Sequence, residues 1–148
     1  MEKITGRIEK LEAFFDAYAQ KFNESLQGET DVDSMVNSFA ESFIEASPKG
    51  IMEGKNDAEF KKGVVKGYEY YKDIGTKSMD IMDKSITLLD EFHAMVKIGW
   101  KGSYEKDGKT LTIEFDVFYM VQELNGSIKI FAYVTGDEQK ALKDNGLI

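Results

Sequence analysis

Two dipeptides in the last third of the chain, Asp107-Gly108 and Asn125-Gly126, constrain its fold more than any other feature, because alternating apolar residues flank both. A two-residue turn whose backbone matches the twist of its flanking strands needs positive φ at both positions, which Asn-Gly and Asp-Gly accept most readily. The sequence therefore predicts three consecutive antiparallel strands over residues 91–105, 109–123 and 127–135. In the first, Phe92, Ala94, Val96, Ile98 and Trp100 alternate with His93, Met95, Lys97, Gly99 and Lys101. In the second, Leu111, Ile113, Phe115, Val117, Tyr119 and Val121 alternate with Thr112, Glu114, Asp116, Phe118 and Met120. Ile128, Ile130, Ala132 and Val134 continue the apolar series on the third. A period of two over such lengths means one buried sheet face and one wetter face.

Upstream the period changes to that of helices. Ile8, Leu11, Phe14, Phe15, Tyr18, Phe22 and Leu26 recur at steps of three and four, predicting a helix from Thr5 to Leu26 that Gly28 ends. A second helix is expected from near Asp31, with Thr30, Asp33 and Ser34 as capping options and Met35, Val36, Phe39, Phe43 and Ile44 as its stripe. Pro48 closes it. Residues 49–53 read as a short strand or an irregular crossing. Asn56 caps a third helix, with Glu59 at the capping-box position and Phe60, Val64, Tyr68, Tyr71 and Ile74 on its buried side. Gly63 and Gly67 share a face suited to close approach by a neighbour. From Thr76 a further strand carries Met79, Ile81 and Ile86, with room for a bulge, and Gly136-Asp137 leads into a short terminal helix. The fold class is α+β: three N-terminal helices on a curved, mostly antiparallel sheet, with a short C-terminal helix, as a single domain over residues 1–148.

A chain of 148 residues buries roughly 68–70% of its unfolded surface and needs no staple. The absence of cysteine excludes thiol catalysis, zinc fingers and iron–sulfur clusters. With one histidine and no clustered acidic loop, neither a metal nor a cofactor is expected. A formal charge of −8, from 27 acidic and 19 basic residues without a basic cluster, argues against nucleic acid. No apolar run reaches the roughly 20 residues of a membrane span and the N-terminus carries no signal-peptide pattern, so a cytoplasmic protein without a membrane partner is expected. Ten Phe, seven Tyr and one Trp exceed what a minimal core requires and point to a lined pocket or a buried interface.

Helices followed by a meander of long strands with these two turns resembles the nuclear transport factor 2-like superfamily, in its SnoaL-like and ketosteroid-isomerase-like branches. The likeness is carried by residues 93–100, Asp107-Gly108, Phe115-Asp116-Val117-Phe118 and residues 125–130, and by the tail from Gly136 to Ile148. It implies a cystatin-like cone with a pocket between the concave sheet face and the helices. Members include isomerases, polyketide cyclases, dehydratases and pure binding modules, so the fold alone selects none of them. The strand carboxylate of cyclase-like members falls here at Tyr119, and their histidine falls among residues 100–102, where none stands. Tyr18 is the conceivable counterpart of an isomerase oxyanion donor.

Individual residues give the candidates. His93 is the only side chain whose ordinary pKa lies near neutrality, and Asp116 lies between Phe115 and Val117, so these two are the catalytic candidates. Strand parity puts both on the wetter face, which favours a surface role for each. Phe14, Tyr18, Trp100, Phe115 and Tyr119 are candidate walls of an apolar pocket. Core is the favoured role for Phe14 and Phe115, whereas Tyr18, Trp100 and Tyr119 are evenly balanced between core and pocket, because their polar ends need partners when buried. Phe118, Met120, Phe131 and Tyr133 fall on the opposite face and predict a homodimer through the back of the sheet. The expected function is binding of a small, largely apolar molecule. The alternatives are an isomerase-, cyclase- or dehydratase-type enzyme and a dimeric assembly module.

Overall fold

In a computed structural model that describes residues 2–28 and 31–148, a long first helix, α1 (Glu2–Leu26), is followed by a single short turn of helix, α2 (Val32–Val36). A hairpin comes next, β1 (Phe39–Ser47) and β2 (Gly50–Lys55), and then α3 (Ala58–Asp73). Four further strands follow, β3 (Thr76–Leu88), β4 (His93–Lys106), β5 (Lys109–Leu124) and β6 (Ser127–Val134), and α4 (Glu138–Asp144) ends the order. The strands form one six-stranded sheet in the order β2-β1-β6-β5-β4-β3. Only the β1–β6 pair is parallel; the others are antiparallel.

The two turns behave as their residues dictate, with φ of 52° and 77° at Asp107 and Gly108 and of 53° and 77° at Asn125 and Gly126. They fix the β4–β5 register, in which Trp100 faces Phe115, Ile98 faces Val117 and Val96 faces Tyr119. These odd-numbered β5 residues and even-numbered β4 residues form the buried face, with Ala94, Val96, Ile98 and Val121 closed to solvent. Leu11, Phe15 and Ala19 of α1 lie against that face, and Phe22 meets Tyr68 of α3 edge to face. Burial of these apolar side chains is the main source of stability. Arg7 fastens the start of α1: its guanidinium pairs with Glu123 at 2.5 Å and donates to the Asp90 carbonyl at 2.8 Å.

Several expectations are corrected. The second helix stops at Val36, and Phe39–Ser47 is a strand. Phe39 and Phe43 are spaced by four, an even number, so the same pair lines one face of either a helix or a strand; pairing with β6 and β2 decides for the strand. Pro48 and Lys49 form the hairpin turn rather than a helix end, so the helices do not precede the sheet as a group of three. Asp31 is the cap of α2, and Thr30 lies outside the described residues. Asp57, not Asn56, caps α3 by accepting from the Phe60 amide, while the Asn56 side chain donates to the Val36 and Phe39 carbonyls. Gly63 and Gly67 have open space around them. The glycine that is needed is Gly75, at φ +91°, where an added methyl would strike the Glu105 carbonyl.

The outer β6 residues also depart from the expected alternation. β6 holds Ile128 and Ile130 on the buried face, but the register shifts so that Phe131 is an extra residue. Beyond this bulge the parity inverts. Tyr133 sits opposite Tyr119 on the inner face, and Ala132 and Val134 turn outward opposite Met120 and Phe118.

Candidate functional site

A cavity of about 250 Å³ opens between the inner sheet face and the helices. Tyr18 and Phe22 of α1 and Tyr71 of α3 form one wall, and Met79, Trp100, Phe115, Val117, Tyr119 and Tyr133 of the sheet form the other. Glu45 of β1, Thr135 just beyond β6 and Glu138 of α4 complete it. Each element brings its residue for a local reason. The stripe of α1 places Tyr18 and Phe22 one turn apart. The β4 and β5 alternation places Trp100 and Tyr119 inward, the bulge at Phe131 turns Tyr133 in, and the β1–β6 register sets Glu45 beside Tyr133.

The polar groups inside are few and specific. Trp100 Nε1 donates to the Tyr119 hydroxyl at 3.1 Å, and both residues are buried. That bond occupies an acceptor site of the phenol and leaves its O–H to donate elsewhere. Tyr71 donates to Glu138 Oε1 at 2.5 Å. Burial pushes the Glu138 carboxyl above its ordinary range; the Tyr71 hydrogen bond opposes this, and the Glu45 carboxylate adds to it. Burial also pushes the phenols of Tyr18, Tyr71, Tyr119 and Tyr133 upward, so all four stay protonated near neutrality. The Tyr18 hydroxyl makes no hydrogen bond to another described residue. The arrangement can accept protons from a ligand at two carboxylates and donate to it from two phenols.

Of the five candidate wall residues, Tyr18, Trp100, Phe115 and Tyr119 line the cavity. Phe14 does not; it packs edge-on against Phe15 at 5.0 Å, in the core. Neither catalytic candidate reaches the cavity. Asp116 is exposed on the outer face, opposite Gly99 and 3.7 Å from Lys97 Nζ. His93 Nδ1 lies 2.8 Å from Asp90 Oδ1, and Asp90 also accepts from the Phe92 and His93 amides. That trio ties the β3–β4 connection together. Of the four interface candidates, Phe118, Met120 and Phe131 are on or beside the outer face, whereas Tyr133 is a cavity wall because of the bulge.

Glu45 and Glu138 escaped the sequence reading. A helical reading of residues 39–47 hides Glu45, although Pro48-Lys49-Gly50 after alternating residues is a turn signal that could have exposed it. Nothing local marks Glu138, an acidic residue in the first turn of a short helix, as a half-buried cavity residue.

A family model described as NTF2-like protein (DUF6841) matches residues 9–138. Among curated proteins, none matches the chain. An NTF-2 like protein of unknown function from Shewanella oneidensis superposes with a TM-score of 0.66 at 16% identity, over 88% of this chain and 99% of its own. An NTF2-like protein with a cystatin-like fold from Novosphingobium aromaticivorans gives 0.67 at 8% identity, covering 98% and 94%. A ketosteroid isomerase-like protein from Erwinia carotovora atroseptica gives 0.60 at 16%, covering 84% and 91%. At such identities the structural likeness speaks to the fold alone. Among the described residues no helix is long and apolar enough to cross a membrane. Helices over a six-stranded sheet, together with a family match spanning most of its length, make this chain a member of the NTF2-like superfamily.

Proposed function

We propose that this chain binds a small, largely apolar molecule in the cavity between the sheet and the helices. The observation that carries the reading is the cavity wall: rings from α1, α3, β4, β5 and β6 converge on one space, with few polar groups among them. Binding sites are typically apolar hollows of about 300–1,000 Å³ for drug-sized ligands, with a few placed polar groups. A space of about 250 Å³ suits something smaller. Native mass spectrometry on protein purified directly from cells tests this. A retained small molecule that Tyr18→Ala releases supports the reading, and bare protein after gentle purification from several growth conditions counts against it.

An enzymatic version, of isomerase, cyclase or dehydratase type, is favoured by one observation. The Glu138 carboxyl is raised by burial and held by Tyr71 inside an apolar cavity, which is how acid–base groups are tuned. In that version Glu138 is the proton carrier, in place of Asp116 and His93. A retained molecule that the wild type converts and Glu138→Gln does not would establish it.

We also infer that the outer sheet face pairs two chains. Ile51, Ala46, Val134 and Phe118 form one cross-strand row, with exposures of 75% at Ile51, 49% at Val134 and 37% at Phe118. Ile44, Ala132, Met120 and Met95 form the adjacent row. An apolar band of this kind on a sheet marks an interaction surface.

A further inference from the structure

Resting on that reading of the cavity, we infer that the molecule it takes is an organic cation, a protonated amine on a small apolar skeleton. The charge inside the cavity is one-sided. Glu45 and Glu138 both line it, close enough for the Glu45 charge to be felt at Glu138, and no Lys, Arg or His is among the described residues that form its wall. A carboxylate drawn partly out of water, as these half-buried two are, is costly unless an opposite charge or several donors face it. Here Glu138 has the Tyr71 phenol on Oε1, and no cation among the described wall residues supplies the missing charge. A ligand amine would supply it, whereas an anionic ligand would meet the repulsion of two carboxylates.

The rings suit the same guest. Tyr18 stands 6.3 Å from Trp100 and 6.1 Å from Tyr119, centroid to centroid, at interplanar angles of 49° and 66°. Tyr119 stands 6.3 Å from Tyr133 at 36°. Rings at such angles and spacings pack tilted or edge to face on one another, and the four together line the cavity. A cation is attracted to the face of Trp or Tyr within about 6 Å of the ring centroid, and cages of several rings are how ammonium groups are recognised. Tyr18 is half-buried and lines the cavity, and its hydroxyl makes no hydrogen bond to another described residue, which leaves that group open to a guest. The phenol oxygen is an acceptor suited to an ammonium N–H.

Three probes with one skeleton test the inference on the intact chain: 2-phenylethylammonium, 2-phenylethanol and phenylacetate, titrated by calorimetry near pH 7. The expected result is that the cation binds at least about tenfold more tightly than the alcohol, and that phenylacetate binds weakest. Glu45→Gln and Glu138→Gln together should erase the cation's advantage while leaving the alcohol's affinity in place. Equal binding of cation and alcohol, or a preference for phenylacetate, overturns the cation assignment and leaves the cavity reading standing. Failure of all three to bind overturns both. The decisive comparison is made on the wild type, so it holds whether or not the double variant folds.

Discussion

Removing one oxygen atom from the cavity wall gives a sharp test of its geometry. In Tyr119→Phe the ring stays, but the acceptor for Trp100 Nε1 at 3.1 Å is lost, leaving an indole N–H on a residue that is only 3% exposed. An unsatisfied buried donor costs about 1–3 kcal/mol. Because the cavity adjoins the site and admits water, the lower part of that range, about 1–2 kcal/mol, is expected here. For a domain of this size that corresponds to a fall in Tm of about 2–8 °C. Tyr68→Phe is the matched comparison. Tyr68 is as buried, yet its hydroxyl makes no well-formed hydrogen bond, and the neighbouring Ser25 hydroxyl donates to the Lys21 carbonyl instead. The same deletion there should leave stability unchanged or raise it by up to about 1 kcal/mol, since an unsatisfied group is removed. Urea denaturation followed by the single tryptophan's emission measures both variants. Equal losses in the two, or no loss in Tyr119→Phe, would refute the assigned hydrogen-bond geometry.

Three further outcomes follow from named contacts. Glu138 titrates above its ordinary 4.5 in the folded chain, so folding favours its protonated form and the stability it confers is lost as pH rises through the folded value. Glu138→Gln should therefore gain stability relative to wild type as pH climbs from about 4.5 toward neutrality; a pH-independent difference in urea midpoints would contradict this. Arg7→Ala removes a largely buried pair with Glu123 and a bond to the Asp90 carbonyl, with an expected cost of about 1–3 kcal/mol in denaturant titration; a loss below about 0.5 kcal/mol would show that the α1 start is not fastened this way. Phe118→Asp, in the middle of the outer apolar band, should yield monomers in sedimentation velocity, and an unchanged sedimentation coefficient in a dimeric protein would remove that band as the pairing surface.

The sequence disclosed the part of the fold in which local signals and tertiary demands agree. Asp107-Gly108 and Asn125-Gly126 set the turns, and strict alternation on β4 and β5 fixed which side faces the core, from Ala94 to Trp100 and from Val117 to Val121. It misled where one spacing serves two periods. Phe39 and Phe43 fit a helix stripe as well as a strand face, and pairing with β6, over eighty residues away, decides between them. It also misled at Phe131, because a bulge inverts parity without a local marker, exchanging Tyr133 for Val134 on the inner face. Tyr18, Trp100, Phe115 and Tyr119 could be read as walls because each belongs to a regular stripe. The two carboxylates could not, since their burial depends on what α4 and β1 meet in space.

The central claim is that small molecules are taken up on the inner sheet face, around Trp100. As the only tryptophan, it gives a single indole Nε1–H signal in a nitrogen–proton correlation spectrum, and that proton is bonded to Tyr119 at the cavity wall. Titration with 2-phenylethylammonium should move this signal progressively and saturably while the amides of Lys97 and Phe118 on the outer face stay in place. A stationary indole signal, with shifts confined to the outer-face amides, would contradict the account.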